Sequence, residues 1–464
     1  MVSRLEIPVW GWQGGLLCAG AAIGVLTGID PKLGLLAAIG LCFVGLVLAD
    51  LTIGLAIFVF ITFLDVLAIA PGLGITKLFG ALLALSWLAK LATTPRALRT
   101  NFLSDNAGLS YIVLAFLTWV ALSALWAEFP DSTGDALLRF GLNVLLLPIV
   151  YAAVRRRRDL VLVLSAFVLG AIASGLFGAM SGVGGRLWGA TVEANELAAT
   201  LVAGLALAGG LAAASANSSV RGLALSAAAL CAVGVFLTAS RSGLLAMGVV
   251  LLAALILAGR LRGPAIAAGS LVVLACFAYF AFLAPPEAQE RVTSLERTSG
   301  RGDIWTVAWR MAEDNPVLGV GANNYTSSSV HYLLEPGAIE RSDIIVDRPK
   351  VAHNIYLHVL AELGIIGLAL FLAILFLALR STLRAARRFR EIGDRKAEML
   401  SRAVLLALIG ILTADFFAST QFSNQLWLLV ALGPALAAIS RTGSAKASEG
   451  LAVAAKPATV LAHR

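Results

Sequence analysis

The strongest constraint on this chain is a succession of apolar stretches, each close to the length that crosses a bilayer. A spanning helix needs about 20 mostly apolar residues. Runs of this kind recur from Gly14–Ile29 through to Gln425–Ile439, about fourteen in all. The first four are short or tightly spaced. The expectation is therefore an all-α, polytopic transmembrane helical bundle of about 12–14 spans. Composition closes off the other outcomes. Of 464 residues, 59% are apolar and only 13% charged. That is too little polar surface for the roughly three soluble domains that this length would otherwise imply. It is also too apolar for intrinsic disorder.

The charges orient the bundle. The chain carries 35 Lys+Arg against 27 Asp+Glu, a net +8. In a soluble protein that balance would suggest nucleic acid. Here the basic residues gather in particular loops: Arg155–Arg158, Arg260 with Arg262, and the run from Arg380 to Arg402. By the positive-inside rule these loops are cytoplasmic, and the parity of the spans between them agrees. Both termini then fall on the cytoplasmic side, and nucleic acid is not an expected partner. Residues 1–284 form the first set of spans and 285–352 a large loop outside the cytoplasm. Residues 353–439 form the last spans and 440–464 a disordered cytoplasmic tail. The large loop contains Trp305 and Trp309 and is expected to be folded. Cys18, Cys42, Cys231 and Cys276 lie inside apolar runs without a C-x-x-C pair, so they are expected as small buried hydrophobes.

Four basic side chains stand on the side where basic residues should be scarce. Arg241 lies in Thr238-Ala239-Ser240-Arg241-Ser242-Gly243, where Gly243 and the serine hydroxyls let a phosphate approach and the guanidinium fork matches it. Arg301 precedes Asp303 and Trp305, and Asn315-Pro316-Val317-Leu318-Gly319-Val320-Gly321 follows. Arg186 precedes Gly189 and Asn195 in a short outer loop. His353-Asn354 opens the span after the large loop; nine residues separate Asn354 from Gly364, and two more separate Gly364 from Gly367. On a continuous helix, Gly364 lies about 20° from His353 and Gly367 about 40° to the other side, a stripe of small residues headed by a histidine. His358 and Glu362 share a face, as a buried polar pair. There is no D-x-D motif, no histidine cluster and no dinucleotide fingerprint, so neither metal nor cofactor is expected.

His353-Asn354 followed by Gly364 and Gly367 resembles the H-[NSQ]-x9-G-x-x-G signature of O-antigen ligases. The Ser-Arg-Ser-Gly string at Arg241, Arg301 before Trp305, and the Asn-Pro-Val-Leu-Gly-Val-Gly segment resemble the wider O-antigen ligase and polymerase superfamily. Arg186 with Gly189 and Asn195 also resembles that family's outer-loop segment. The resemblance runs from about Arg186 to Ile439 and implies an inner-membrane, metal-independent, inverting glycosyltransferase. The donor it implies is a glycan on undecaprenyl diphosphate, held among membrane lipid. The acceptor is lipid A–core in a ligase and another lipid-linked glycan in an O-antigen or exopolysaccharide polymerase. On this resemblance His353, Arg241 and Arg301 are the catalytic candidates, and Arg186, Asn195, Ser240 and Asn354 the substrate-binding ones. A non-enzymatic lipid-glycan transporter is the rival. It calls for charges at span midplanes and repeat symmetry, whereas the distinctive basic residues sit at one face.

Overall fold

The structure is a computed structural model that describes residues 9–64, 68–70, 73–95, 101–180, 187, 193–259, 262–293, 301–333 and 351–454. The described chain is helical apart from one short antiparallel pair, Ala68–Ala70 with Leu73–Gly74. In chain order the helices are α1 (Val9–Ile29), α2 (Pro31–Ala49), α3 (Leu51–Ile61), α4 (Ile75–Thr93), α5 (Phe102–Asp105), α6 (Ala107–Leu122), α7 (Pro130–Ala153), α8 (Arg157–Met180) and α9 (Ala194–Ala214). Then come α10 (Ser218–Leu237), α11 (Arg241–Leu257), α12 (Arg262–Ala278), α13 (Pro286–Thr293), α14 (Arg301–Asp314), α15 (Tyr325–Leu333), α16 (Ile355–Glu391), α17 (Arg395–Ala414) and α18 (Asn424–Ala454). Among the described residues, eleven helices are long and apolar enough to cross a membrane. Three further apolar helices, Ala19–Ile29, Leu51–Ile61 and Arg241–Leu257, are shorter, which accounts for the larger number of apolar stretches in the sequence. Leu271, Leu274 and Phe277 on α12, and Phe282 just after it, are mostly exposed. Such a surface belongs against lipid, and the protein is a multi-pass membrane protein.

The polar residues between apolar runs act as helix stops and starts. Asp30 accepts a hydrogen bond from Lys32 N, with Pro31 in the first turn of α2, the usual economy of an N-cap. Asp50 caps α3 through Thr52 N at 2.8 Å, and these amides hold its carboxyl below the usual carboxylate range against the opposing effect of its slight burial. Asn217 caps α10 and Asp394 caps α17. α18 runs on through Ala454, past the boundary at residue 439 where the last span was expected to end. The Ala-rich sequence there carries strong helix propensity. Cys231 is buried, but Cys42 is exposed and Cys276 half-buried, so the expectation of buried cysteines holds for only one of these three.

The two ends of the bundle differ. At one end Arg157 lies 3.4 Å from Asp394, Arg390 2.8 Å from Glu398, and Arg402 pairs with Glu398 and with Leu257 O. This end gathers the predicted basic loops. The opposite end gathers the α6–α7 connection, the turn before α11, helices α13–α15 and the start of α16. Helix α9 runs through the centre, buried along most of its length between α8, α10 and α17.

α16 is not one continuous helix. Gly364 has φ 64° and ψ −170°, which breaks it into Ile355–Leu363 and Ile365–Glu391. The carbonyls and amide released by the break are taken up elsewhere. Val320 N donates to Ala361 O at 3.0 Å, Gly321 N to Glu362 O at 2.8 Å, and Trp119 Nε1 to Leu363 O at 2.9 Å. Ile365 N donates to Pro316 O at 2.9 Å. The approach is so close that a Cβ on Gly364 would collide with Val317 O, and one on Gly319 (φ 70°) with the Glu362 carbonyl. The stripe of small residues expected along an unbroken helix is thus corrected. Gly364 is the hinge at which the Asn315–Gly321 segment docks.

Gly364→Ala would place a side chain in a left-handed conformation and into that contact. A loss of at least about 2 kcal/mol is expected. In thermal unfolding of the purified protein, Gly364→Ala should melt well below wild type. Gly209→Ala, with nothing within 4 Å of the added methyl, should not.

Candidate functional site

The turn before α11 is built by its own polar atoms. Ala239 adopts φ 45°, and Ser240 caps the helix by accepting from Gly243 N at 3.2 Å. The Ser240 hydroxyl donates to Asn195 Oδ1 at 2.8 Å and lies 2.9 Å from Ser242 Oγ. Ser240 and Asn195, candidates on separate helices, therefore meet, and both spend polar atoms on holding this turn. Arg241 occupies the first turn of α11 with its side chain exposed. The amides of a helix start and an arginine on the same turn form a favourable place for an anion. Leu187 N donates to Leu237 O at 3.0 Å, which places Leu187 at the end of α10, next to this turn. Arg186 and Gly189 lie outside the described residues. Ala284 and Ala288 pack on Ala239, so the start of the large loop closes over the same place.

Arg301 opens α14 with its guanidinium over the Phe417 ring, 5.7 Å from the centroid. Trp305, one turn on, stacks against Phe417 at 6.1 Å and meets Phe416 edge-on at 5.9 Å. Helices α14 and α15 share a small core of Ile304, Val307, Met311 and Tyr325, which packs on Ala352 and on Ala361 of α16. The described part of the large loop is therefore folded against the bundle. Tyr325 OH donates to Ile304 O at 3.0 Å. Burial, reinforced by the nearby Glu362 carboxylate, raises the tyrosine's pKa above that of a free phenol.

His353 adopts φ 47° outside the helix. Asn354 is the N-cap of α16, its oxygen accepting from Tyr356 N and Leu357 N at 3.0 Å each. Its carbonyl side is thus spent on shaping the backbone that presents His353. His358 and Glu362 form the buried pair expected from their spacing, Nε2 to Oε1 at 3.0 Å. Glu362 also accepts from Tyr325 N at 3.1 Å, and His358 Nδ1 lies 3.0 Å from Ser419 Oγ. The ring thus spans the carboxylate and the serine, one partner at each nitrogen.

A cavity of about 360 Å³ lies beside some of these segments, although Asn195, Ser240, Arg241, Arg301, His353 and Asn354 are not in its wall. Val351, two residues before His353, forms part of its wall, as do His358 and Ser419. So do Glu196, next to Asn195, and Asp415, two residues before the Phe417 that carries Arg301. Sequence reasoning missed Arg139, Glu196, Asp415 and Gln421 in this wall. The signal was available for three of them, because each is a charged residue inside an apolar run, where burial cost makes an incidental charge uncommon. Gln421 carried none. Among the described residues no group of three or more His, Cys, Asp or Glu side chains is gathered as metal ligands.

Residues 226–372 match the family model described as O-antigen ligase. Over that stretch, about a third of the chain, the protein is similar to the O-antigen ligases. The matched stretch contains Ser240, Arg241, Arg301, His353, Gly364 and Gly367, while Asn195 and Arg186 precede it. No curated protein matches the chain.

Ser240→Ala removes a helix cap and should cost about 1 kcal/mol. Since its hydroxyl also fixes Asn195, Asn195→Ala added to Ser240→Ala should cost much less than Asn195→Ala alone. A double-mutant cycle on apparent melting checks this, and strict additivity would contradict the pairing.

Proposed function

We propose that this chain is a glycosyltransferase that moves a glycan from undecaprenyl diphosphate to an acceptor hydroxyl. The reaction would take place at the extracytoplasmic face of a bacterial inner membrane. The basic end of the bundle then faces the cytoplasm with both termini. The observation that carries the reading is Arg241 on a rigidly held helix start, at the same end of the bundle as Arg301 and His353. Two arginines at that end answer the main chemical need of the reaction. A diphosphate is already a good leaving group, and its growing charge must be held as the glycosidic bond breaks.

In this mechanism the acceptor oxygen attacks the anomeric carbon from the face opposite the diphosphate. The new C–O bond forms as the bond to the phosphate oxygen breaks, and that oxygen keeps the electron pair. The configuration inverts. Arg241 and Arg301 stabilise the departing charge in a low-dielectric setting, where fixed donors are most effective, and no metal is required. His353 takes the acceptor proton, a task within reach of an imidazole with an unperturbed pKa near 6.5. Asn354 and Asn195 hold the backbone and turn that present His353 and Arg241, and Arg186 adds a further contact to the diphosphate. Ligase and polymerase share this donor chemistry and differ in the acceptor, lipid A–core for the one and a second lipid-linked repeat for the other.

The test is transfer by the purified protein from a defined undecaprenyl-diphosphate glycan, with lipid A–core, a second lipid-linked repeat and a peptide offered in turn. Product is expected with one acceptor, unchanged by chelator. Arg241→Ala should lower the rate by roughly 10²–10³. Full activity in folded Arg241→Ala, or loss in chelator, would contradict the mechanism. Absence of product with every acceptor would favour a lipid-glycan transporter.

A further inference from the structure

The cavity bounded by the segment after α17 has a chemistry that differs from the arginines around it. Asp415 is 1% exposed and Gln421 2%. Gln421 Oε1 is buried without a hydrogen-bond partner among the described residues, and Asp415 has only the neighbouring Thr420 hydroxyl beside its two carboxyl oxygens, yet all three residues form part of the cavity wall. Buried polar atoms in folded proteins are nearly always paired, and leaving an acceptor unpaired is costly. Asp415 and Gln421, within seven positions of each other and in the wall of one space, offer more acceptor sites than the nearby Thr420 hydroxyl can fill.

The charge of that wall restricts the donor. Glu196 and Asp415 both face the cavity, with Arg139 drawn over the Phe422 ring at 5.4 Å. Among the described residues Arg139 is the one arginine or lysine in that wall and its guanidinium lies over an aromatic ring, so the anionic part of a substrate is assigned to Arg241 and Arg301, which are not in the wall. A sugar presents several hydroxyls, each able to donate to a carboxylate or an amide oxygen. The 360 Å³ volume is ample for one pyranose ring and falls within the usual range of ligand cavities.

We propose that this cavity is a subsite for an uncharged sugar residue, whose hydroxyls donate to Asp415 and Gln421. The proposal rests on the glycan-transfer reading above. It adds that the sugar is recognised by acceptors on the segment following α17, separately from the diphosphate.

The experiment is saturation-transfer NMR on the full-length protein in lipid nanodiscs, free of sugar-based detergent. The probes are free glucose, galactose, mannose, rhamnose and N-acetylglucosamine. Transfer to at least one sugar is expected in wild type. It should weaken at least tenfold in Asp415→Asn, which keeps the shape and lowers the burial cost, and in Gln421→Ala. It should be unchanged in Arg241→Ala. No signal from any sugar in wild type would overturn the subsite. So would a signal unchanged in both cavity variants, or one displaced by sodium chloride in the manner of a cation site. The two readings fail separately. Sugar binding at Asp415 without glycan transfer retains the subsite and removes the transferase. Transfer unaffected by Asp415→Asn does the reverse.

Discussion

A helix broken at Gly364 must find new partners for the backbone groups it releases, and the rest of this end of the molecule is arranged around that need. The amides of Val320 and Gly321 and the indole of Trp119 take the carbonyls of Ala361, Glu362 and Leu363. Broken helices in membrane proteins persist only where protein or a cavity satisfies them. Here the satisfaction comes from the Asn315–Gly321 segment, whose next residues reach across to α7. Asn324 is buried and bonds Phe129 through both its amide and its carbonyl, as well as Thr133 Oγ1. One short segment thus locks α6 and α7 to the two halves of α16.

That lock fixes the chemistry. The helical turns before Gly364 carry His358 and Glu362, and Asn354 caps their start. Glu362 reaches back to Tyr325, so the helices of the large loop and the broken helix share one hydrogen-bonded core. The arginines reach the same region by different routes, Arg241 on a turn held by Asn195 and Arg301 on an aromatic cluster.

Much of this was legible in the sequence, for identifiable reasons. Apolar runs of bilayer length specify helices almost regardless of context, while the caps at Asp30, Asp50 and Asn217 emerged only in the structure. His358 and Glu362 were paired by spacing alone, because four residues is one helical turn. The geometry at Gly364 was not legible. Periodicity assumes a helix, and a positive φ at a glycine depends on what docks against it, here Val317 from a distant segment. Asp415, Glu196 and Arg139 were visible as charges in apolar runs. Their common cavity was not, since it joins α7, α9 and the segment after α17.

Amide hydrogen exchange across residues 316–325 and 361–365 tests the central claim most directly. The docked break predicts that the amides of Val320, Gly321 and Ile365 exchange as slowly as those of the neighbouring helix, because each donates to a buried carbonyl. Exchange at the rate of an open loop would show that the segment does not close the break. The arrangement of the site built on it would then fall.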